Sequence, residues 1–400
     1  MAGSSKGNFR ELISPFLREK ISKLTTRYGE NDLRTKAIIN QYVKSPLEDI
    51  IHPSERLRHY ESEINIDFDG APLIGVERLY RRTVLIEPTT ACAAHCRWCL
   101  RGQYPIKTMQ YDDIERAARY IGSSNLRDDV NEVLITGGDP LLSTSHLNHT
   151  LAMLTKHADN VKIIRMGTRV PFQDPYRIND NMLAIFNRYR HFRFELGLNI
   201  NHPIEFWPEC ILAIKKLKEI GMVFYNQHPL LKNVNDDFKT LVELYDYLRQ
   251  HGIEAHYLFH AIPMRGMGHH RTSLHKGLSL ISEISACGEF SGRSKPRFAV
   301  LSDIGKIVLY HGTILDVRVK ERLVLLKSYF KLEDRLKWNP SWKQPSSVMI
   351  DSDGTLLTWY LDGSDDRLND QTTLYQDVNL HLDVELEHDG SPKEKSNFDL

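Results

Sequence analysis

The sequence predicts an α/β fold: a partial (β/α)6 barrel with an N-terminal helical extension and a small C-terminal β-containing extension. Six short apolar runs, at 83–87, 132–136, 161–166, 192–200, 222–227 and 254–259, carry the prediction. Each is followed by an amphipathic stretch at helical spacing, the last at 273–287. Apolar strands alternating with helices build parallel strands covered on the outside. The rhythm stops after the sixth unit, where closely spaced strand and turn signals take over. An open doubly wound sheet has the same periodicity and stands as the alternative.

In chain order, residues 1–78 form the helical extension. Leu12, Phe16 and Leu17, then Leu33, Ala37 and Ile38, recur at helical spacing, and Pro46 and Pro53 interrupt the pattern. Residues 79–290 hold the repeats. Residues 291–385 form the C-terminal extension, which is expected to pack beside the barrel or to mediate homo-oligomer contacts. In it, 297–301 and 306–310 flank an Asp303-Ile304-Gly305 turn, and 348–351 and 356–361 flank Asp353-Gly354, a hairpin signal. Residues 386–400 are polar and expected to be disordered.

Lys and Arg total 52, as do Asp and Glu, so the formal charge is zero. No basic excess points to nucleic acid or an anionic membrane. No apolar run reaches the ~18 residues of a membrane span. The expectation is a soluble cytoplasmic protein acting on a small molecule, with neither a nucleic-acid nor a membrane partner. The 5 cysteines are too few for a secreted disulfide framework.

Cys92, Cys96 and Cys99 stand in CX3CX2C spacing directly after the first apolar run. The C-terminal ends of barrel strands are where active sites gather. Thiolates bind iron–sulfur clusters or zinc, and a closed structural zinc takes four ligands. Three thiolates on a four-iron cluster leave one iron open. A Cys3His zinc site using His95, or a simple electron-transfer cluster, are the competing readings. After the second run, Gly137 and Gly138 let the backbone approach a ligand, and Asp139 can accept hydrogen bonds from an ammonium group. Alone this is an ordinary strand-to-helix turn. Thr168, Arg169, Asn201, His202 and Gln227 close later runs, either as a polar ring around one mouth or as helix caps and loop anchors.

CX3CX2C followed one strand later by Gly137-Gly138-Asp139 resembles the radical S-adenosylmethionine (radical SAM) superfamily. The resemblance implies a radical SAM barrel and a [4Fe-4S] cluster on Cys92, Cys96 and Cys99. S-adenosyl-L-methionine (SAM) would bind the open iron, with Trp98 near the adenine and the Gly-Gly-Asp loop at the methionine amino group. One electron, from a reductant such as flavodoxin or ferredoxin, would cleave SAM to methionine and a 5′-deoxyadenosyl radical that takes hydrogen from the substrate. Four further stretches resemble the lysine 2,3-aminomutase family in order and spacing. They are Ile164-Arg165-Met166-Gly167-Thr168-Arg169, Asn199-Ile200-Asn201-His202-Pro203, Asn226-Gln227-His228-Pro229 and Arg271-Thr272. Cofactor-binding roles thereby fall on Thr168, Arg169, Asn201, His202 and Gln227.

That family resemblance implies an amino-acid 2,3-aminomutase, an isomerase in which pyridoxal 5′-phosphate (PLP) carries the migrating nitrogen. Lys306, after Pro296-Arg297-Phe298, matches the lysine that holds PLP, in a shorter turn with one glycine. An ordinary surface lysine is the competing reading. Arg81 and Arg82 are expected at the PLP phosphate. Arg101 is expected at the substrate carboxylate, or else as a loop cation beside the cluster. The family's two aspartates for lysine's distal ammonium fall on Ile262 and Leu301. An unpaired buried ammonium is costly, so the substrate is expected to be an α-amino acid other than lysine. A PLP-independent radical SAM enzyme of epimerase or oxidase type, and a non-catalytic metal-binding protein, are the alternatives.

Overall fold

The structure is a computed structural model that describes residues 9–51, 66–100 and 105–365. Arg101 and the tail at 386–400 lie outside the described residues.

Helices α1 (Pro15–Tyr28) and α2 (Leu33–Tyr42) open the chain. Ser14 and Asp32 cap them, their side chains accepting from the amides of Leu17 and Arg34 at 3.1 and 3.0 Å. A two-stranded ribbon follows, β1 (Asp67–Phe68) and β2 (Ala71–Pro72). The main sheet is built from β3 (Val76–Glu77), β4 (Thr83–Thr89), β5 (Glu132–Gly137), β6 (Ile163–Thr168) and β7 (Arg193–Leu198), then β8 (Val223–Leu230), β9 (Glu254–His260), β10 (Arg297–Ser302) and β11 (Gly305–Val308). Its strand order is the chain order. β4 to β10 run parallel, and β3 and β11 are antiparallel edges. A doubly wound sheet would reverse direction at a switch point. This one does not, so the sheet curls into a half-barrel.

Helices α3 (Tyr111–Ile121), α4 (Thr144–His157), α5 (Asp180–Arg188), α6 (Pro208–Glu219), α7 (Phe238–Gln250) and α8 (Leu274–Ala286) connect β4 to β10. Alternate strand residues divide the labour. Val84, Ile86, Val133, Ile135, Ile164, Met166, Leu196 and Leu258 are fully buried in the core. Between them Leu85, Leu134, Arg165, Glu195 and Tyr225 are only partly buried and line the inner face. Continuous apolarity, the expectation from sequence, therefore holds for the outer face only. The inner face is mixed, because it encloses a lumen rather than a packed core.

The sheet also runs past residue 290. Residues 297–299 pair in parallel with 257–259, and the turn at 303–304 folds β11 back so that Lys306 lies opposite Leu301. Gly305 takes φ 122°, a value side chains resist. A second, antiparallel sheet follows: β12 (Ile314–Arg318), β13 (Leu323–Lys331), β14 (Val348–Ile350) and β15 (Thr355–Leu361), with helix α9 (Leu332–Trp338) between β13 and β14. The predicted turn at Asp353-Gly354 joins β14 to β15. Helix α9 and the residue that follows it bridge the two edges of the half-barrel. Asn339 Nδ2 donates to the Arg78 carbonyl next to β3 at 2.6 Å, and Arg335 donates to the Ile304 carbonyl beside β11.

Arg271 fastens the second sheet to the barrel. Its guanidinium is 1% exposed and donates to the carbonyls of Ala261 (2.8 Å), Asp362 (3.1 Å) and Leu361 (2.5 Å). Arg271→Leu strands these acceptors and is expected to cost about 3 kcal/mol in urea denaturation.

Candidate active site

The thiols of Cys92, Cys96 and Cys99 sit on the loop that leaves β4, all free and partly buried. The loop is tightened by Cys99 N donating to the Cys96 carbonyl at 3.0 Å. The N-terminal extension holds it in place: His95 N donates to Leu12 O at 2.8 Å and Arg97 N to Gln41 O at 3.0 Å. Arg97 is buried, paired with Glu48 and bonded to the carbonyls of Phe9 and Arg10. Phe9 and Arg10 also line the cavity, a contribution no sequence pattern signals, since the partners lie more than 80 residues apart.

The thiols face a cavity of about 600 Å³. Gly137, Gly138, Asp139, Thr168, Arg169, Asn199, Gln227, Trp98, Ile262 and Leu301 share its wall. Burial, then the nearby Cys99 and Asp139, push the Cys92 thiol well above its ordinary value. His95 is engaged elsewhere: its Nδ1 lies 2.7 Å from the Arg10 carbonyl and its ring stacks on Phe9 at 4.9 Å. Among the described residues no three His, Cys, Asp or Glu converge as ligands for a single ion. Three thiols on one short loop, open to a cavity, fit a [4Fe-4S] cluster with one uncapped iron.

The Asp139 carboxylate is held by its own neighbours. Its carboxylate accepts from Thr168 Oγ1 (2.8 Å), Arg169 N (2.7 Å), Val170 N (3.0 Å) and Leu141 N (3.0 Å). Four donors fill the acceptor sites of a carboxylate. Asp139 therefore ties the end of β5 to the end of β6, and Gly137 and Gly138 line the cavity beside it. Gly138 is pressed against the start of the cysteine loop: a Cβ there would lie 2.2 Å from the Ala91 carbonyl oxygen.

Arg169 reaches the cluster loop itself. Nη1 is 3.1 Å from Cys96 Sγ, and Gln173 Nε2 is 3.3 Å from the same sulfur. Nη2 donates to Glu205 Oε2 at 2.6 Å and Gln41 Oε1 at 3.1 Å. Glu205 Oε1 in turn accepts from the amides of Asn201 (2.8 Å) and His202 (3.0 Å). Asn201 and His202 thus brace the wall behind the cavity. His202 Nδ1 accepts from Ile204 N at 3.0 Å, and burial drops its pKa to about 4. Trp98 lies 5.1 Å from the Arg169 guanidinium, and Gln227 faces the lumen.

Lys306 points into the lumen below this mouth. Its Nζ sits over the rings of Tyr257 (4.2 Å) and Phe259 (5.1 Å). Burial, then the positive Arg165, lower its pKa to about 8. Among the described residues no carboxylate lies within ion-pair distance of it. It is not a surface lysine. Arg81 and Arg82 stand at the opposite end of β4 from the cysteine loop. Arg81 pairs with Asp129 at 2.8 Å and is largely exposed, and Arg82 donates to the carbonyls of Asp128 and Asp129. Ile262 and Leu301 line both the main cavity and a second one of about 350 Å³ beneath the second sheet.

Asp139→Asn separates bracing from ligand contact. An amide presents a donor toward the backbone amides of Arg169 or Val170, so the variant is expected to lose about 2 kcal/mol in the ligand-free protein. A role confined to ligand binding leaves the urea midpoint unchanged.

Residues 86–264 match the radical SAM superfamily model. The chain is 31% identical over 248 residues to the L-lysine 2,3-aminomutase of Methanococcus maripaludis, covering 61% of this chain and 56% of that protein. It is 31% identical over 244 residues to that of Acetoanaerobium sticklandii, covering 60% of this chain and 57% of that one. The matched stretch therefore spans a little over half the length of these relatives. A radical SAM methyltransferase from Sphaerobacter thermophilus is similar at 17% identity and a TM-score of 0.41, over 72% of this chain and 95% of that one. The superfamily match falls on the strands and loops that form the thiol-lined mouth, so residues 86–264 carry a radical SAM domain, and the chain is similar to proteins named L-lysine 2,3-aminomutase.

Proposed function

We propose that the protein is a radical SAM amino-acid 2,3-aminomutase that uses PLP and acts on an α-amino acid other than lysine. The carrying observation is Lys306: an amine with a lowered pKa, facing the lumen beneath the thiol-lined mouth, with aromatic rings and no carboxylate beside it. A lysine poised in this way is suited to covalent work rather than to ion pairing.

The parts divide by depth. At the mouth, Cys92, Cys96 and Cys99 would hold the [4Fe-4S] cluster, and the Gly137-Gly138 backbone, Trp98 and Gln227 would seat SAM. Arg169 and Gln173 donate to the Cys96 sulfur, and such bonds stabilise the more electron-rich state of a cluster. An electron from a reductant such as flavodoxin or ferredoxin then starts the chemistry. Deeper, Lys306 would hold PLP, which when bound supplies a carrier for nitrogen moving between adjacent carbons. Phe259, Ile262 and Leu301 would present apolar surface to the space between the two. Arg101 is the proposed partner of the substrate carboxylate.

Ile262 and Leu301 support the substrate assignment. Both line the cavity, and neither can pair with a distal ammonium. A neutral or apolar distal group suits them.

Two measurements test the reading. Borohydride reduction of PLP-loaded protein followed by peptide mass spectrometry is expected to mark Lys306, with yield rising through pH of about 8 rather than the ordinary lysine range, because the neutral amine is the reactive form. Absence of the mark favours a PLP-independent radical enzyme. Chromatography of products from a panel of amino acids is expected to find β-amino acids from apolar substrates, and rapid conversion of lysine to β-lysine would refute the substrate assignment.

A further inference from the structure

The lower lumen holds an unusual concentration of positive charge. Arg165 projects from β6 into it, with Nη2 2.7 Å from Glu132 Oε1. Glu132 also accepts from Thr83 Oγ1 at 3.0 Å. The Arg165 Nε is buried and bonds nothing. The Tyr225 hydroxyl is bonded to Arg165, and the Tyr225 ring meets His256 edge-on at 5.2 Å. Two groups register the resulting field. Lys306 is lowered to about 8 by burial and Arg165. His256 is lowered to about 4 by burial, then by Lys306, Arg297 and Arg165. Arg165 therefore bears on Lys306 even though Glu132 pairs with its guanidinium, and among the described residues no carboxylate is ion-paired with Lys306 itself. Glu132 sits on one flank, and Glu195 is tied to Arg193 at 2.8 Å.

The space is also kept open. Gly167 follows Arg165 by two residues on the same strand face, and it pairs in register with Gly197. Both line the cavity. A Cβ on Gly197 would meet the Tyr225 ring at 2.9 Å, so glycine is what lets that ring lie against β7.

We propose that Arg165, assisted by the Tyr225 hydroxyl, is the seat for the phosphate of the aldehyde cofactor that Lys306 holds. This rests on the PLP reading above and replaces Arg81 and Arg82 in that role. Arg81 is committed to Asp129, and Arg82 to backbone carbonyls, at the foot of β4. Arg165 instead faces the same lumen as the amine, with one nitrogen free. A guanidinium next to a phenol offers several donors to a phosphate, the most highly charged group of the cofactor. The seat also accounts for a cation placed where it raises the cost of charging Lys306. A bound phosphate cancels that cost.

The test compares PLP with pyridoxal, which lacks the phosphate. The full chain is titrated with each aldehyde, and adducts are fixed with borohydride and located by mass spectrometry. Wild type is expected to prefer PLP, and Arg165→Gln is expected to shrink that preference by about 10- to 100-fold while pyridoxal still marks Lys306. Glu132→Gln combined with Arg165→Gln removes the pair without stranding a carboxylate and is expected to behave alike. Arg81→Gln combined with Arg82→Gln is expected to leave the preference unchanged. A merely structural Arg165 would weaken both aldehydes equally, and that result, or an unchanged ratio, overturns the seat while sparing the cofactor reading. Loss of the preference in the Arg81/Arg82 variant also overturns it. No adduct with either aldehyde in wild type overturns both.

Discussion

The mouth of the barrel is organised around one buried cation. Arg169 is 7% exposed, and burial works against its charge, yet the Cys96 sulfur and the Glu205 carboxylate beside it offset that cost. From this guanidinium, contacts run to a cluster sulfur, to Glu205 on the fourth repeat and to Gln41 on α2. Its backbone amide is held by Asp139. The ends of β5, β6 and β7, the cysteine loop and the N-terminal helices thus share one charge. Each partner needs the others in place, because a guanidinium cannot shed its proton to escape a poor environment.

Below the mouth the electrostatics change character. At the top, Arg97 and Arg169 are each matched by a sulfur or a carboxylate. Lower down, Arg165, Arg297 and Lys306 outweigh their acidic neighbours. The sheet allows this because its two faces obey different rules. The outer face packs against helices and must be apolar. The inner face borders open space and is free to carry charge that a ligand completes.

Much of this was legible in the sequence, for identifiable reasons. Period and order gave the strands and helices within a few residues, since each strand's outer face is unmistakably apolar. CX3CX2C and Gly137-Gly138 are local motifs, and their geometry is local too. What escaped is whatever depends on distant partners. Asp139 looked like a ligand group because its four donors lie on its own turn and on the next strand. Asn201 and His202 looked like part of a ring because nothing in the sequence reveals Glu205 folding back under them. Arg165 was invisible as a lumen group because the apolar run around it hides the alternation. Arg81 and Arg82 were conspicuous as an adjacent pair, yet a pair at a strand's foot serves the loop beside it.

The bridge between the two edges of the sheet has a consequence in time. β3 is made early in synthesis and β11 late, and the residues that join them, Arg335 and Asn339, come later still. A ribosome releasing the chain from its N-terminus therefore exposes a nearly complete set of staves with nothing to hold the first against the last. Until Asn339 reaches the Arg78 carbonyl, the β3 edge lacks this tie to the late-made segment. A segment made late in synthesis is thus the one that decides when the two edges of the sheet are joined.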